Sequence, residues 1–426
     1  MTYMVQKKTD DKNSTYMFLY DLYGSKKSEM KHLLRFLVVI VVSLLMTSIS
    51  IAQVEEQTYE EYRKQEGQNF QNYLESENIA YEEYMLEEQK GIEKLRKEIE
   101  HFWGTGEFIS STKKEWVEYS KDKKSRSDVD FEVGTATVEI LLLPEEAKSV
   151  ELTNKKLEEA VKDLVTTNGS TKDFETATEK PEELDTKPVL EGQLQTSDGS
   201  DVNEGNTDEF VKEVVKTENI KKETVVGTDG VERTKITVSM ALAPNHIKVR
   251  ALKYENEINQ YAAKYELPVE LVYAVIHTES YFNPKAKSHA PAYGLMQLVP
   301  KSGARDAYQY VYKKDKILSA NYLYKADKNI ELGSAYLRIL MTRYFKKVKD
   351  YDSRMLCAIA AYNTGAGNVA RAFTGTTNPG KAIPKINKMT YEECYGFLRE
   401  YLPYDETKSY IKKVSQRIGL YEEWKK

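Results

Sequence analysis

From Pro244 to the C-terminus the apolar residues of this 426-residue chain recur at helical spacing, which confines that stretch to an all-α arrangement. Residues 249–265 read as one amphipathic helix. Pro268 then stands where a first-turn proline is tolerated, opening a helix that ends at Glu279. Further helices are predicted over 330–344, 354–362 and 410–418, around a core of Leu, Val, Ile, Ala and Tyr.

The chain ahead of Pro244 reads differently. Residues 54–100 are rich in Glu, Lys, Gln and Tyr without Pro, and Ile92, Leu95 and Ile99 repeat at helical spacing. That helical segment, 53–100, leads into Phe102-Trp103-Gly104. A compact α+β module is expected over 101–243. Within it, 131–140 alternates like a strand, and 152–164 is an amphipathic helix with Leu157, Ala160, Val161 and Leu164 on one side. Asp229-Gly230 between β-branched runs signals a hairpin. Residues 166–209 are polar and acidic, with too little apolar surface to offset the entropy of ordering them, so a disordered insert is expected there. The fold class is therefore α+β multidomain, with the all-α part at 244–426.

The length leaves room for two or three domains. Residues 244–426 carry 30 Lys and Arg against 18 Asp and Glu, net +12, while residues 1–243 carry 32 against 49, net −17. A basic half of that kind suits an anionic partner such as the cell envelope. No basic stripe interleaved with aromatics appears, so nucleic acid is not expected as a partner. Residues 30–52 have the layout of a signal peptide, with a basic start at Met30-Lys-His-Leu-Leu-Arg35, an apolar run over 36–46 and small residues before Gln53. Residues 1–29 do not resemble part of a signal, which makes Met30 an alternative start. Cleavage near Ala52 is expected, with retention as a single membrane anchor the alternative. No Cys follows the apolar run, so lipid attachment there is not expected.

Cysteine is scarce: Cys357 lies in an apolar run, and whether it pairs with Cys394 is open. The five His are scattered and neither Cys has a partner at zinc-site spacing, so no metal or other cofactor is expected. His277 is read as a helix residue near the site and not as a ligand.

Glu279 carries the chemical signal. It ends an apolar helix, where the negative end of the helix dipole and the neighbours Val275, Ile276 and Phe282 disfavour the carboxylate. A carboxyl held protonated near neutral pH can deliver a proton to a poor leaving oxygen, as glycosidic cleavage requires. Taken alone, a Glu at a helix end is usually a solvated surface residue. The residues downstream of Glu279 change that reading. Ser288 lies nine positions on, and Gly294-Leu-Met-Gln297 brings an amide at position eighteen. Later come Ala361-Tyr362-Asn363, running into Gly365 and Gly367, and Glu406-Thr-Lys-Ser-Tyr410. Each alone reads as a turn glycine, a core Tyr or a capping Asn. Asp306 is the nearest later carboxylate, and no motif marks it as a nucleophile.

The ordered set Glu279-Ser280, Gly294-Leu-Met-Gln297, Ala361-Tyr-Asn363 and Glu406-Thr-x-x-Tyr410 resembles the soluble lytic transglycosylase catalytic domain, a relative of goose-type lysozyme, over about residues 245–420. Phe102-Trp-Gly104, Trp116-Val-x-Tyr119-Ser and Ser125-Arg-Ser127-x-Val-Asp130-Phe-Glu resemble the N-terminal domain of the membrane-bound lytic murein transglycosylase C family. The resemblance implies a lysozyme-like helical domain in which Glu279 is the only catalytic carboxylate, acting first as acid and then as base toward the C6 hydroxyl of N-acetylmuramic acid. It implies contacts to the muramoyl sugar or the acid from Ser288 and Gln297, a phenol near the carboxylate from Tyr362 and another from Tyr410. Asn363, within the same substrate-binding set, is expected to hold the loop.

The function this implies is cleavage of peptidoglycan glycan strands between N-acetylmuramic acid and N-acetylglucosamine, with a 1,6-anhydro product, by an exported enzyme of the periplasm or cell envelope. A hydrolysing muramidase differs from it only in product. A peptidoglycan-binding scaffold with a silent site, and an N-terminal module that recruits partners through the acidic insert, are the readings of other classes.

Overall fold

The computed structural model describes residues 52–177, 179–215, 220–289 and 291–424. The expected signal segment lies outside them, apart from Ala52. Among the described residues no helix is long and apolar enough to cross a membrane. They fall into two compact units, one of residues up to 83 with 308–317, the other of 84–307 with 318–426. In the smaller unit the Tyr308 and Tyr312 rings lie 4.7 Å apart. The larger unit holds both the sheet and every candidate site residue.

The helix expected over 53–100 is present as α1 (Ala52–Trp103). It ends where Gly104 turns to φ +105°, a left-handed conformation that favours glycine. Leu95, Ile99 and Trp103 in its last turns are buried with Leu141 in a small core, and the Trp103 indole donates to the Lys123 carbonyl at 2.7 Å.

Five antiparallel strands follow, β1 (Glu115–Tyr119), β2 (Ser125–Asp130), β3 (Thr135–Leu142), β4 (Lys221–Val226) and β5 (Glu232–Ala241), in the spatial order β1-β2-β3-β5-β4. The alternation in β3 sends Ala136, Val138, Ile140 and Leu142 into the main core and Leu141 to the other face. The strand expected over 131–140 begins later, at Thr135, because residues 131–134 form the turn from β2. The Asp229-Gly230 hairpin is present between β4 and β5. Strands β1 and β2 are not visible as periodicity: β2 reads Ser-Arg-Ser-Asp-Val-Asp and buries only Arg126 and Val129.

Helices α2 (Val150–Thr166) and α3 (Thr207–Val215) pack apolar faces into the main core. Between them the chain is irregular, and here the expectation of a disordered insert over 166–209 is corrected. Val189, Leu190, Leu194 and Val202 are buried in that core. Lys172 is buried between Glu88 and Glu179, ion-paired to both. A few well-spaced apolar anchors and one paired lysine suffice to order a segment whose composition is polar.

The rest is helical: α4 (His246–Lys253), α5 (Glu255–Lys264), α6 (Val269–Ser280), α7 (Gly303–Tyr312), α8 (Ala320–Tyr324), α9 (Ala326–Ile339), α10 (Tyr351–Thr364), α11 (Ala366–Thr374), α12 (Pro379–Ile386), α13 (Tyr391–Tyr401) and α14 (Asp405–Glu423). The single helix expected over 249–265 is two, broken at Tyr254 (φ −108°, ψ 15°). Tyr254 is buried with its ring stacked on Phe282, so tertiary packing overrides a continuous helical pattern. The other predicted helices lie within α9 and the π-helical turn after it (Leu340–Tyr344), α10 and α14.

Arg250 on α4 fastens these parts together. Only 2% exposed, it donates to the Tyr281 and Phe131 carbonyls at 3.1 Å each and to the Gln193 side-chain oxygen at 2.6 Å. Its guanidinium also lies 4.4 Å from the centre of the Phe131 ring. Among the described residues no carboxylate pairs with it, and burial pulls its pKa down to about 9. Arg250→Met would leave three buried acceptors unpaired. At roughly 1–3 kcal/mol each, the unfolding free energy read from a urea titration is expected to fall by at least about 3 kcal/mol.

Candidate active site

Helix α6 is apolar almost all round, with Leu271, Val272, Ala274, Val275 and Ile276 buried, so its last turn cannot carry Glu279 out to bulk water. The helix then stops sharply: Tyr281 and Phe282 both take positive φ, 52° and 60°. Three hydrogen-bonded contacts hold that turn. The Ser280 hydroxyl donates to the Leu295 carbonyl at 2.8 Å, Arg250 holds the Tyr281 carbonyl, and the Asn283 amide donates to the carbonyls of Thr112, Lys113 and Glu115 at 3.2–3.4 Å. Ser280, the motif residue beside Glu279, is fully buried, its hydroxyl given to the Ile276 and Leu295 carbonyls.

Glu279 is 5% exposed. Burial, the largest influence, pushes its pKa from the ordinary 4.5 up to about 7. The Lys113 ammonium, 3.8 Å from Oε2, and the Tyr410 hydroxyl pull it down, while the Glu406 carboxylate pushes it up. The Tyr410 hydroxyl is itself buried without a hydrogen-bond partner of good geometry. It stands beside the acid as a donor whose bond to the carboxyl falls short of full geometry. Tyr362 is close enough to Glu279 that the carboxylate and burial together raise its phenol pKa well above the ordinary value, and its hydroxyl donates to the Met296 carbonyl at 2.8 Å. His277, two residues back, has its pKa pushed down to about 3, chiefly by burial, and its Nδ1 faces the Tyr421 hydroxyl at 3.0 Å. No cluster of His, Cys, Asp and Glu suited to a metal occurs among the described residues. Cys357 and Cys394 are buried, free thiols.

The Gly294-Leu-Met-Gln297 loop is built around close approach. A Cβ on Gly294 (φ +75°) would meet the Leu323 carbonyl and the Asn329 amide at 2.4 Å. Asn329 accepts from the Met296 backbone at 2.7 Å and donates to the Tyr293 and Leu323 carbonyls at 2.9 and 2.7 Å. Gln297 turns its amide nitrogen inward, onto the Ala286 and Gly294 carbonyls at 3.0 Å each, and leaves its buried side-chain oxygen without a partner. Ser288 is half-buried, its backbone N–H donating to Ala292 at 3.1 Å. Asn363 accepts from the Thr407 hydroxyl at 2.6 Å, tying the end of α10 to the start of α14.

Thus Tyr362 and Tyr410 gather at the Glu279 carboxylate, while Gln297, joined to Tyr362 through the Met296 loop, and Asn363, joined to Thr407, frame them. Sequence reasoning missed Lys113, Asn283 and Asn329. Asn329 carries no motif, and Lys113 lies 166 positions before the acid it approaches.

The sequence matches the Transglycosylase SLT domain over residues 256–383 and the N-terminal domain of membrane-bound lytic murein transglycosylase C over residues 73–253. The membrane-bound lytic murein transglycosylase C of Cronobacter sakazakii is 30% identical over 348 residues, 80% of this chain and 92% of that one. This chain belongs to that family. It is an enzyme of the lytic transglycosylase class. The relative from Salmonella arizonae is 31% identical over 347 residues, again 80% of this chain and 92% of the relative. A solved structure of the 70 kDa soluble lytic transglycosylase from Escherichia coli overlaps 40% of this chain and 24% of its own at 26% identity, with a TM-score of 0.32, too low for the fold to be argued from it.

A buried acid with a raised pKa leaves a signature in stability. Unfolded, Glu279 loses its proton near 4.5; folded, it keeps it to about 7. The stability it confers as a neutral acid is complete below pH 4.5 and drains away as pH rises through 7. Glu279→Gln, which cannot ionise, is expected to match wild type at pH 4. Above pH 7 it should exceed wild type by about 3 kcal/mol in denaturant unfolding, at ~1.4 kcal/mol per pH unit.

Proposed function

We propose that this chain cleaves the glycan strands of peptidoglycan between N-acetylmuramic acid and N-acetylglucosamine, with Glu279 as the acid and base and a 1,6-anhydro sugar as product. The observation that carries this reading is the buried Glu279 carboxyl, its pKa raised to about 7, in a chain whose relatives are lytic murein transglycosylases. The protonated carboxyl donates its proton to the glycosidic oxygen as the bond to C1 of the muramoyl sugar breaks. The resulting carboxylate takes the proton of the C6 hydroxyl as O6 bonds to C1. Glu279 is then protonated again, and no water is consumed.

In this scheme the Tyr410 hydroxyl tightens its contact to the carboxylate formed in the first step, where a charge-assisted bond is stronger than to the neutral acid. Tyr362 fixes the Met296 carbonyl and with it the loop under the sugar. Gln297 presents its unpaired oxygen to a sugar N–H or O–H, Ser288 borders the same loop, and Asn363 holds the mouth of the groove through Thr407. Residues 30–52 act as the signal, 53–100 as a helical lead, 101–243 as the accessory domain and 244–426 as the catalytic domain. The enzyme works in the cell envelope, where its basic catalytic half meets an anionic wall.

One observation favours the hydrolysing alternative. Glu406 Oε1 lies 4.0 Å from the same Lys113 ammonium that approaches Glu279, so a second carboxylate does border the acid, as two-carboxylate glycosidases require. Product masses separate the two. Digestion of purified sacculi is expected to release anhydro-ended muropeptides, and Glu279→Gln should release them at least about 10²-fold more slowly, the lower range for a lost general acid. Reducing ends in place of anhydro ends would establish hydrolysis.

A further inference from the structure

The sheet-bearing part of the chain reaches the reacting carboxyl itself. Lys113 sits in the loop before β1, and its Nζ lies 3.8 Å from Glu279 Oε2 and 4.0 Å from Glu406 Oε1. We propose that Lys113 is a positioning residue of the reaction: its ammonium sets the charge state of Glu279 and so the pH range over which that acid delivers its proton. The inference rests on Glu279 being the acid.

The geometry makes this more than a chance approach of a flexible side chain. Asn283, fully buried and four residues beyond Glu279, binds the backbone carbonyls of Thr112, Lys113 and Glu115. Lys114 pairs with Glu132 and lies 4.9 Å from the centre of the Tyr281 ring, while Tyr281 donates to the other Glu132 oxygen at 2.7 Å. Lys285 donates to the Val117 carbonyl at 3.3 Å. The backbone that carries Lys113 is thereby bolted to the turn that ends the helix of Glu279. The Lys113 side chain is 35% exposed and the Glu279 side chain 6%.

The charged and titratable groups facing Glu279 are few. Lys113 comes from the loop before β1, Glu406 and Tyr410 from α14, and Tyr362 from α10. The two phenols stay neutral across the working range. Among the described residues Lys113 is the one cation that influences Glu279, and it opposes both burial and Glu406. Without it the carboxyl would keep its proton to higher pH. With it, the carboxylate left after proton delivery has a counter-charge until it takes the C6 hydroxyl proton.

The test titrates the Glu279 carboxyl directly, as the infrared carboxyl band that Glu279→Gln lacks, and in parallel follows kcat/KM on sacculi against pH. Loss of activity on the alkaline side reports deprotonation of the acid. In Lys113→Met and Lys113→Gln both the carboxyl midpoint and the alkaline limb are expected to move up by about one pH unit, the low end for an opposite charge at this range because the lysine is partly solvated. Lys113→Arg should restore both. A midpoint that stays put in Met and Gln, or that moves as far in Arg, overturns the proposal. A midpoint that moves while the limb does not overturns the acid role of Glu279, and this inference with it.

Discussion

The turn after Glu279 is the constraint on which the larger unit depends. A helix apolar almost all round must be buried, and one that ends in a carboxylate must stop before that carboxylate reaches solvent. Tyr281 and Phe282 make the stop by adopting left-handed backbone, a conformation unfavourable for non-glycine residues. The surroundings hold them there: Arg250 grips the Tyr281 carbonyl, Ser280 the Leu295 carbonyl, and Asn283 the loop before β1. The strain is local and the restraints come from three separate parts of the chain, so sheet, irregular segment and helices share one anchor point.

That anchor also explains the electrostatics. A carboxyl removed from water prefers its proton, and burial is the largest influence on Glu279. Left to burial alone the group would be a poor acid. Two features moderate it, the Lys113 ammonium and the Tyr410 hydroxyl, with Glu406 working the other way. The balance leaves the pKa at about 7, where proton donation and proton acceptance are both accessible to one side chain. Such a balance needs the opposing charges within a few ångströms, which only a well-fixed loop can provide.

Part of this was legible in the order of residues. The switch to helical spacing at Pro244, the hairpin at Asp229-Gly230 and the amphipathic helix α2 come from periodicity and turn chemistry, and the grouping of Glu279 with Tyr362 and Tyr410 from the family resemblance. Other parts were misread for identifiable reasons. Residues 166–209 have the composition of a disordered segment, yet four apolar side chains spaced along them reach the core, and average composition does not register such anchors. The break at Tyr254 is invisible in the pattern because both halves keep the same apolar phase; stacking on Phe282 decides it.

The sequence by itself determined the local elements and the family and singled out Glu279 as the candidate acid, because these depend on residue type at short and medium separation. Only the tertiary structure decided what surrounds that acid. Gln297 turns its amide nitrogen onto backbone carbonyls, Asn329 builds the loop under it, and Lys113 arrives from a distant part of the chain. Electrostatic interaction depends on distance through space and on the water that burial excludes, and neither quantity is written in sequence separation.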